Sequence, residues 1–275
     1  LAERSVWGQD GYVTESLFAP DSVTRRVHGD PSAVVGGMRA LLIQALNPLA
    51  MAGVHEHSDF RGDPWGRFQR TAGFVNLATF GPADQARAMG ATVQRIHRSV
   101  RGRDPVTGRD YRADDPELLA WIHNVLADSL LVAARRYGGG VSPADARRYL
   151  EEMVVLAELV GTPTELVPTT EEGLRDSLAH AELVMSPTVV AASRTVLAPP
   201  MPRAVRPLWA VLDAAAIGLL PARVRHLYRF PPWTPVDPAV RAAAGVLFAT
   251  ARRVLPPVAE RQRAAGWSEP AQAAA

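Results

Sequence analysis

Alternation of period two is nearly absent from this 275-residue chain, while apolar residues recur at helical spacing over most of its length. With no strand pattern there is no sheet to cover, so the apolar stripes must be buried against one another, helix on helix. The expected class is all-α. The helix starts are marked: Asp30–Pro31, Asp63–Pro64 and Asp115–Pro116 each join a capping carboxylate to a proline, and Ser142–Pro143 does the same with a hydroxyl. Proline suits the first helical position because its missing N–H would have no partner there. Gly138–Gly139–Gly140 and Gly161 supply stops. Helices are expected from Asp30–Pro31 to about Pro48, then over roughly 64–79, 83–100, 115–137, 143–160, 170–185, 187–197, 203–219, 221–228 and 237–254.

Pro48 should end or kink the first of these helices, leaving 52–62 as a polar connector, and the Pro and Gly of 101–110 read as a loop. Gly36–Gly37 weakens the first helix unless something approaches it closely. No internal repeat and no nucleotide-binding glycine fingerprint occurs. The length suits one large domain, read as residues 30–275, with residues 1–29 as an arm packed on it.

Composition removes several function classes. There is no cysteine, hence no disulfide, thiolate metal site or cysteine nucleophile. All 30 basic residues are arginine, but they are dispersed among 28 acids, so no stripe for nucleic acid forms. The first residues lack the basic-then-apolar pattern of a signal peptide, and the apolar run 206–221 carries Asp213 in its middle. The expectation is a cytoplasmic protein with no transmembrane segment.

Chemistry concentrates in three helices. Arg67, Arg70, Thr71 and Phe74 fall at i, i+3, i+4 and i+7, one face of the 64–79 helix, with two cations where core residues are expected. On the next helix His97 shares a stripe with Met89, Val93, Ile96 and Val100, and His123 shares another with Leu119, Ile122, Leu126 and Leu130. Inward guanidiniums ask for an anion. Haem fits these features: its iron takes a neutral imidazole, its ring an apolar slot, and its propionates Arg or hydroxyl partners. Core histidines bonded to the backbone, and surface pairing of Arg67 and Arg70 with Asp59, Asp63 or Asp84, would account for the same residues. His55–Glu56–His57 offers two imidazoles around a carboxylate, short of a complete ligand set for zinc or iron.

The stretches GDPSAVVGGMRALLIQALNPLAMAGVHEHSDFRGDPWGRFQRT, IHRSVRG, YRADDPELLAWIHNVL and YLEEMVVLAELVG, in that order, resemble the DUF2236 family of MpaB-like and latex-clearing-protein oxygenases over roughly residues 25–235. The resemblance implies an all-helical fold with a globin-like core, haem b, His97 as the proximal iron ligand and metal-binding residue, and Arg67, Arg70 and Thr71 lining the haem pocket. It also implies a pocket-lining or catalytic place for His123, with Phe74, Ile43 and Leu77 walling the ring. Arg70 stands where latex clearing proteins place a lysine able to reach the iron, and a guanidinium is too basic for that. No carboxylate stands at 51–53, where those proteins carry an acid/base glutamate; Glu56 and Asp59 are the nearest. The implied function is haem b-dependent oxygenation of a small hydrophobic substrate with dioxygen or peroxide. A non-catalytic haem carrier or gas sensor, and a haem-free tailoring enzyme using a histidine as acid/base, are the alternatives.

Overall fold

Helices do most of the building in the computed structural model, which describes residues 16–57, 64–231 and 237–256, with side chains at 64, 65, 67 and 68 left out of the description. In chain order they are α1 (Val23–Gly29), α2 (Ala33–Gln44), α3 (Pro48–His57), α4 (Pro64–Phe80), α5 (Ala83–Ser99), α6 (Pro116–Tyr137), α7 (Pro143–Leu159), α8 (Glu171–Ala179), α9 (Pro187–Leu197), α10 (Arg206–Leu219), α11 (Ala222–Leu227) and α12 (Asp237–Val254). A two-stranded antiparallel hairpin, β1 (Arg101–Arg103) and β2 (Asp110–Arg112), follows α5. The all-α class holds.

The cap signals at Asp115, Ser142 and Gly161 act as the sequence says. Asp115 accepts from Leu118 N and so starts α6, while Ser142 and Asp145 form a reciprocal capping box on α7. Gly161, at φ 82°, turns the chain out of α7 in the left-handed region that glycine tolerates best. Asp63 lies outside the described residues; α4 begins at Pro64.

Four boundaries differ from expectation. Pro48 does break α2, but it also starts α3, at 99° to it, with Asn47 accepting from Ala50 N. That is the same cap-plus-proline device, so the first part of the expected connector is helix. Residues 101–112 form the hairpin rather than a plain loop, with Asp104 accepting from Val106 N and Thr107 N to shape the turn. The 170–185 helix stops at Ala179; beyond it Val184 N donates to Leu46 O at 2.8 Å, an irregular segment leading to the Ser186 cap of α9. The helix expected from Asp30–Pro31 starts at Ala33, because Asp30 stands at the end of α1; α1, in the segment expected to pack on the body, belongs to the core, with Phe18, Val23 and Val27 buried and Glu152 of α7 accepting from Thr24 N at 2.7 Å.

The core sits around α6. One apolar cluster joins α1, α6 and α7 through Val27, Leu130, Tyr149 and Met153. A second joins α2, α3 and α9 to the N-terminal half of α6 through Leu42, Leu46, Met51, Trp121 and Val189. A third packs α2 against α10 and α12 through Met38, Leu212 and Phe248. Full burial of each such side chain contributes about 1.5–3 kcal/mol. Gly36 explains the closeness of α2 and α6: a Cβ there would stand 3.0 Å from Leu130 Cα, whereas Gly37 meets nothing within 4 Å. By length and hydropathy α6 could cross a membrane, yet 67% of its apolar window is buried inside the fold, as befits a core helix.

Candidate functional site

α4 was expected to turn Arg67, Arg70, Thr71 and Phe74 inward. Its C-terminal half does bury Leu77, Ala78 and Thr79 against the body. Its earlier turns stand further out: Arg70 and Thr71 are exposed, and Phe74 is half-buried against the α1–α6–α7 cluster. Hydration accounts for this, since a guanidinium in water escapes the desolvation that an inward position would impose. The side chain of Arg67 lies outside the described residues.

On α5 the inner strip runs through Ala83, Ala86, Gly90, Val93, His97 and Val100, at alternating steps of three and four. Small residues begin it because α5 lies tight on the end of α7: a Cβ at Gly90 would meet Leu159 O at 2.6 Å. His97 is half-buried on this strip, with its Nδ1 atom shielded from solvent. Ile96, assigned to the same stripe from sequence, is 53% exposed, because it falls to one side of the strip.

His123 on α6 is a different kind of imidazole. It is only 6% exposed, its Nε2 has no hydrogen-bond partner among the described residues, and burial pushes its pKa down to about 4, so it is neutral at physiological pH. Two residues earlier Trp121, also buried, has an unpartnered Nε1. Buried polar atoms without partners are uncommon in folded proteins, and a pair of them this close in sequence marks the N-terminal half of α6 as a place with unmet hydrogen-bonding capacity.

His28 of α1, within electrostatic range of His123, is a histidine that sequence reasoning passed over. Burial, and then the neighbouring His123, hold its pKa down at about 3. Its tautomer follows from its partners. The Thr79 hydroxyl donates to Val75 O at 2.7 Å, so its oxygen accepts from His28 Nδ1–H at 2.8 Å; His28 Nε2 is then left to accept from the Tyr149 hydroxyl at 3.3 Å. Burial also raises the Tyr149 phenol well above its usual range. Nothing in the local sequence around His28 marks this role, because its partners come from 51 and 121 residues away.

The His55–Glu56–His57 motif ends α3 against the hairpin. Tyr111 donates its hydroxyl to Glu56, and His57 Nε2–H donates to Arg101 O at 3.0 Å. Among the described residues no group of three His, Asp or Glu side chains is arranged to hold a metal ion. Met51, His55, Glu56, Asp104, Val106 and Ser186 line a shallow, open depression beside this motif. Glu56, the nearest described carboxylate to the missing acid/base position, is thus engaged by a phenol, whose own pKa it helps to raise; Asp59 lies outside the described residues.

A tetrapyrrole iron asks for a neutral imidazole with an uncommitted nitrogen, apolar walls, and cations or hydroxyls at the rim. The half-buried imidazole of His97, the neutral ring of His123, the buried Ile43 and Leu77, and the exposed Arg70 and Thr71 are of the residue types that chemistry asks for. No curated protein and no solved structure shows a match to this chain. The family model described as "ER-bound oxygenase mpaB/B'/Rubber oxygenase, catalytic domain" matches residues 25–255, from within α1 to just past the end of α12. With that match over most of its length, the chain belongs to the MpaB and rubber oxygenase catalytic-domain family.

Proposed function

We propose that this member of an oxygenase family is a haem b-dependent oxygenase acting on a small hydrophobic, natural-product-like substrate. The observation that carries the reading is the family match across residues 25–255, which includes every residue assigned a role below. Haem b, when bound, supplies an iron at which dioxygen or peroxide is activated. In this reading His97 holds that iron. A half-buried position near the end of α5 suits a ligand, since the ring can be reached from one side while the strip behind it anchors the helix.

His123 lines the pocket. Kept neutral by burial, its imidazole can offer or accept one hydrogen bond without placing a charge among apolar side chains. Arg70 and Thr71, exposed on α4, suit the rim, where a guanidinium and a hydroxyl can bind the porphyrin carboxylates at low desolvation cost. Arg67 is assigned the same work from its place one turn earlier on the same face. Phe74, Ile43 and Leu77 supply apolar wall and exclude water from the reacting centre. Arg70, whose guanidinium is too basic to bind a metal as a lysine amine could, would serve only by charge and hydrogen bonds.

The test is the optical spectrum of the full chain expressed with haem supplied, followed by turnover of an alkene or phenol under dioxygen or peroxide. A Soret band and oxygenated product are expected. A Soret band with no turnover of any substrate would instead indicate a carrier or sensor, and iron far below one atom per chain a haem-free enzyme.

A further inference from the structure

The end of α4 is held by α1. Arg25 donates from Nε to Thr79 O and from Nη2 to Phe80 O, each at 3.2 Å, and its guanidinium lies 5.6 Å over the Phe80 ring. Both carbonyls are among the last four of the helix, which have no partner within it. One turn further along α1, His28 bonds the Thr79 side chain and, on its other edge, Tyr149 of α7. A single half-buried imidazole therefore joins three helices by hydrogen bonds. Arg25 fixes where α4 ends, and His28 fixes which way its last turn faces. Phe74 lies five residues before Thr79 on the same rigid helix, about 7.5 Å along its axis, so any rotation at Thr79 is passed to Phe74, Thr71 and Arg70.

We propose that His28 is a positioning residue: by tying the end of α4 to α7, it sets how the Arg70–Thr71–Phe74 face of α4 is presented to the rest of the fold. That this face meets a cofactor and substrate rests on the proposed haem oxygenase; the tie itself rests on the bonds just given. The imidazole suits the task because it is rigid and presents a donor on one edge and an acceptor on the other, matching the Thr79 oxygen and the Tyr149 hydroxyl.

The experiment compares His28→Leu with His28→Gln in the full haem-loaded chain by hydrogen exchange and by the carbon monoxide stretch of the ferrous complex. In His28→Leu the α4 amides from Arg70 to Ala78 should exchange about tenfold faster while α9 to α12 stay as they were, and the carbon monoxide band should shift or split. His28→Gln, which keeps a donor and an acceptor, should restore both readouts in part. If His28→Leu does not fold, Thr79→Val removes the same bond with little change of shape and should give the same two effects. A folded variant with unaltered α4 exchange, or with an unchanged carbon monoxide band, overturns the proposal. If the wild-type chain carries no haem, the oxygenase reading falls, and α4 exchange still decides whether His28 holds the helix.

Discussion

α6 and α5 each carry a candidate histidine, but α6 buries thirteen of its 22 residues and α5 three of its 17. The contrast shows how a helix's surroundings decide what an imidazole can do. His123, walled in on α6, is neutral with a nitrogen to spare, and His28 of α1 is neutral with both nitrogens used. His97, on a narrow strip beginning with small residues, stays within reach of a ligand. The inner region around α6 is built for fixed geometry, and the α4–α5 flank for access.

Acid should break this contrast most strongly. His28 and His123 titrate near 3 and 4 in the fold but near 6.5 when unfolded, so the unfolded chain takes up protons first. Stability is therefore full above about pH 6.5 and falls as pH drops towards 4, by up to about 1.4 kcal/mol per pH unit for each histidine. Urea unfolding from pH 7 to 4.5 should show that slope, and His123→Leu should flatten it.

Next in size is Arg39→Met. Arg39 is buried on α2, ion-paired to Asp128 at 2.8 Å and donating to Ser129 Oγ and Leu219 O. Removing it strands the partly exposed Asp128, for a loss of about 3 kcal/mol in urea unfolding. Gly36→Ala should cost about 2 kcal/mol by pressing on the Leu130 backbone, while Gly37→Ala, with open space around it, should gain up to about 1 kcal/mol in the same measurement. Ile96→Thr on the exposed side of α5 should change stability by less than about 0.5 kcal/mol; a larger loss would mean that the flank is packed like the interior.

What the sequence made legible follows the range of the interactions involved. Asp115, Ser142 and Gly161 act on residues within one turn, so their roles could be read from neighbours in the chain. Asn47–Pro48 carried the same local signal and was read only as a break. The hairpin was hidden because three-residue strands are too short to show alternation. Stripes placed His97 and His123 on the inner sides of their helices, but periodicity could not say that α4 keeps Arg70 and Thr71 in water, or that Ile96 slips off the strip. His28 was illegible for a plainer reason: its work depends on Thr79 and Tyr149, which only the fold brings to it.

The central claim is that the accessible imidazole of α5, not the enclosed one of α6, holds an iron porphyrin. The most direct measurement is the Soret spectrum, with haem content, of the wild type beside His97→Ala and His123→Leu, all expressed with haem supplied. The account predicts roughly one haem per chain in the wild type, loss of the band in His97→Ala, and its retention in His123→Leu. A band that survives in His97→Ala and disappears in His123→Leu, or none in the wild type, would contradict it.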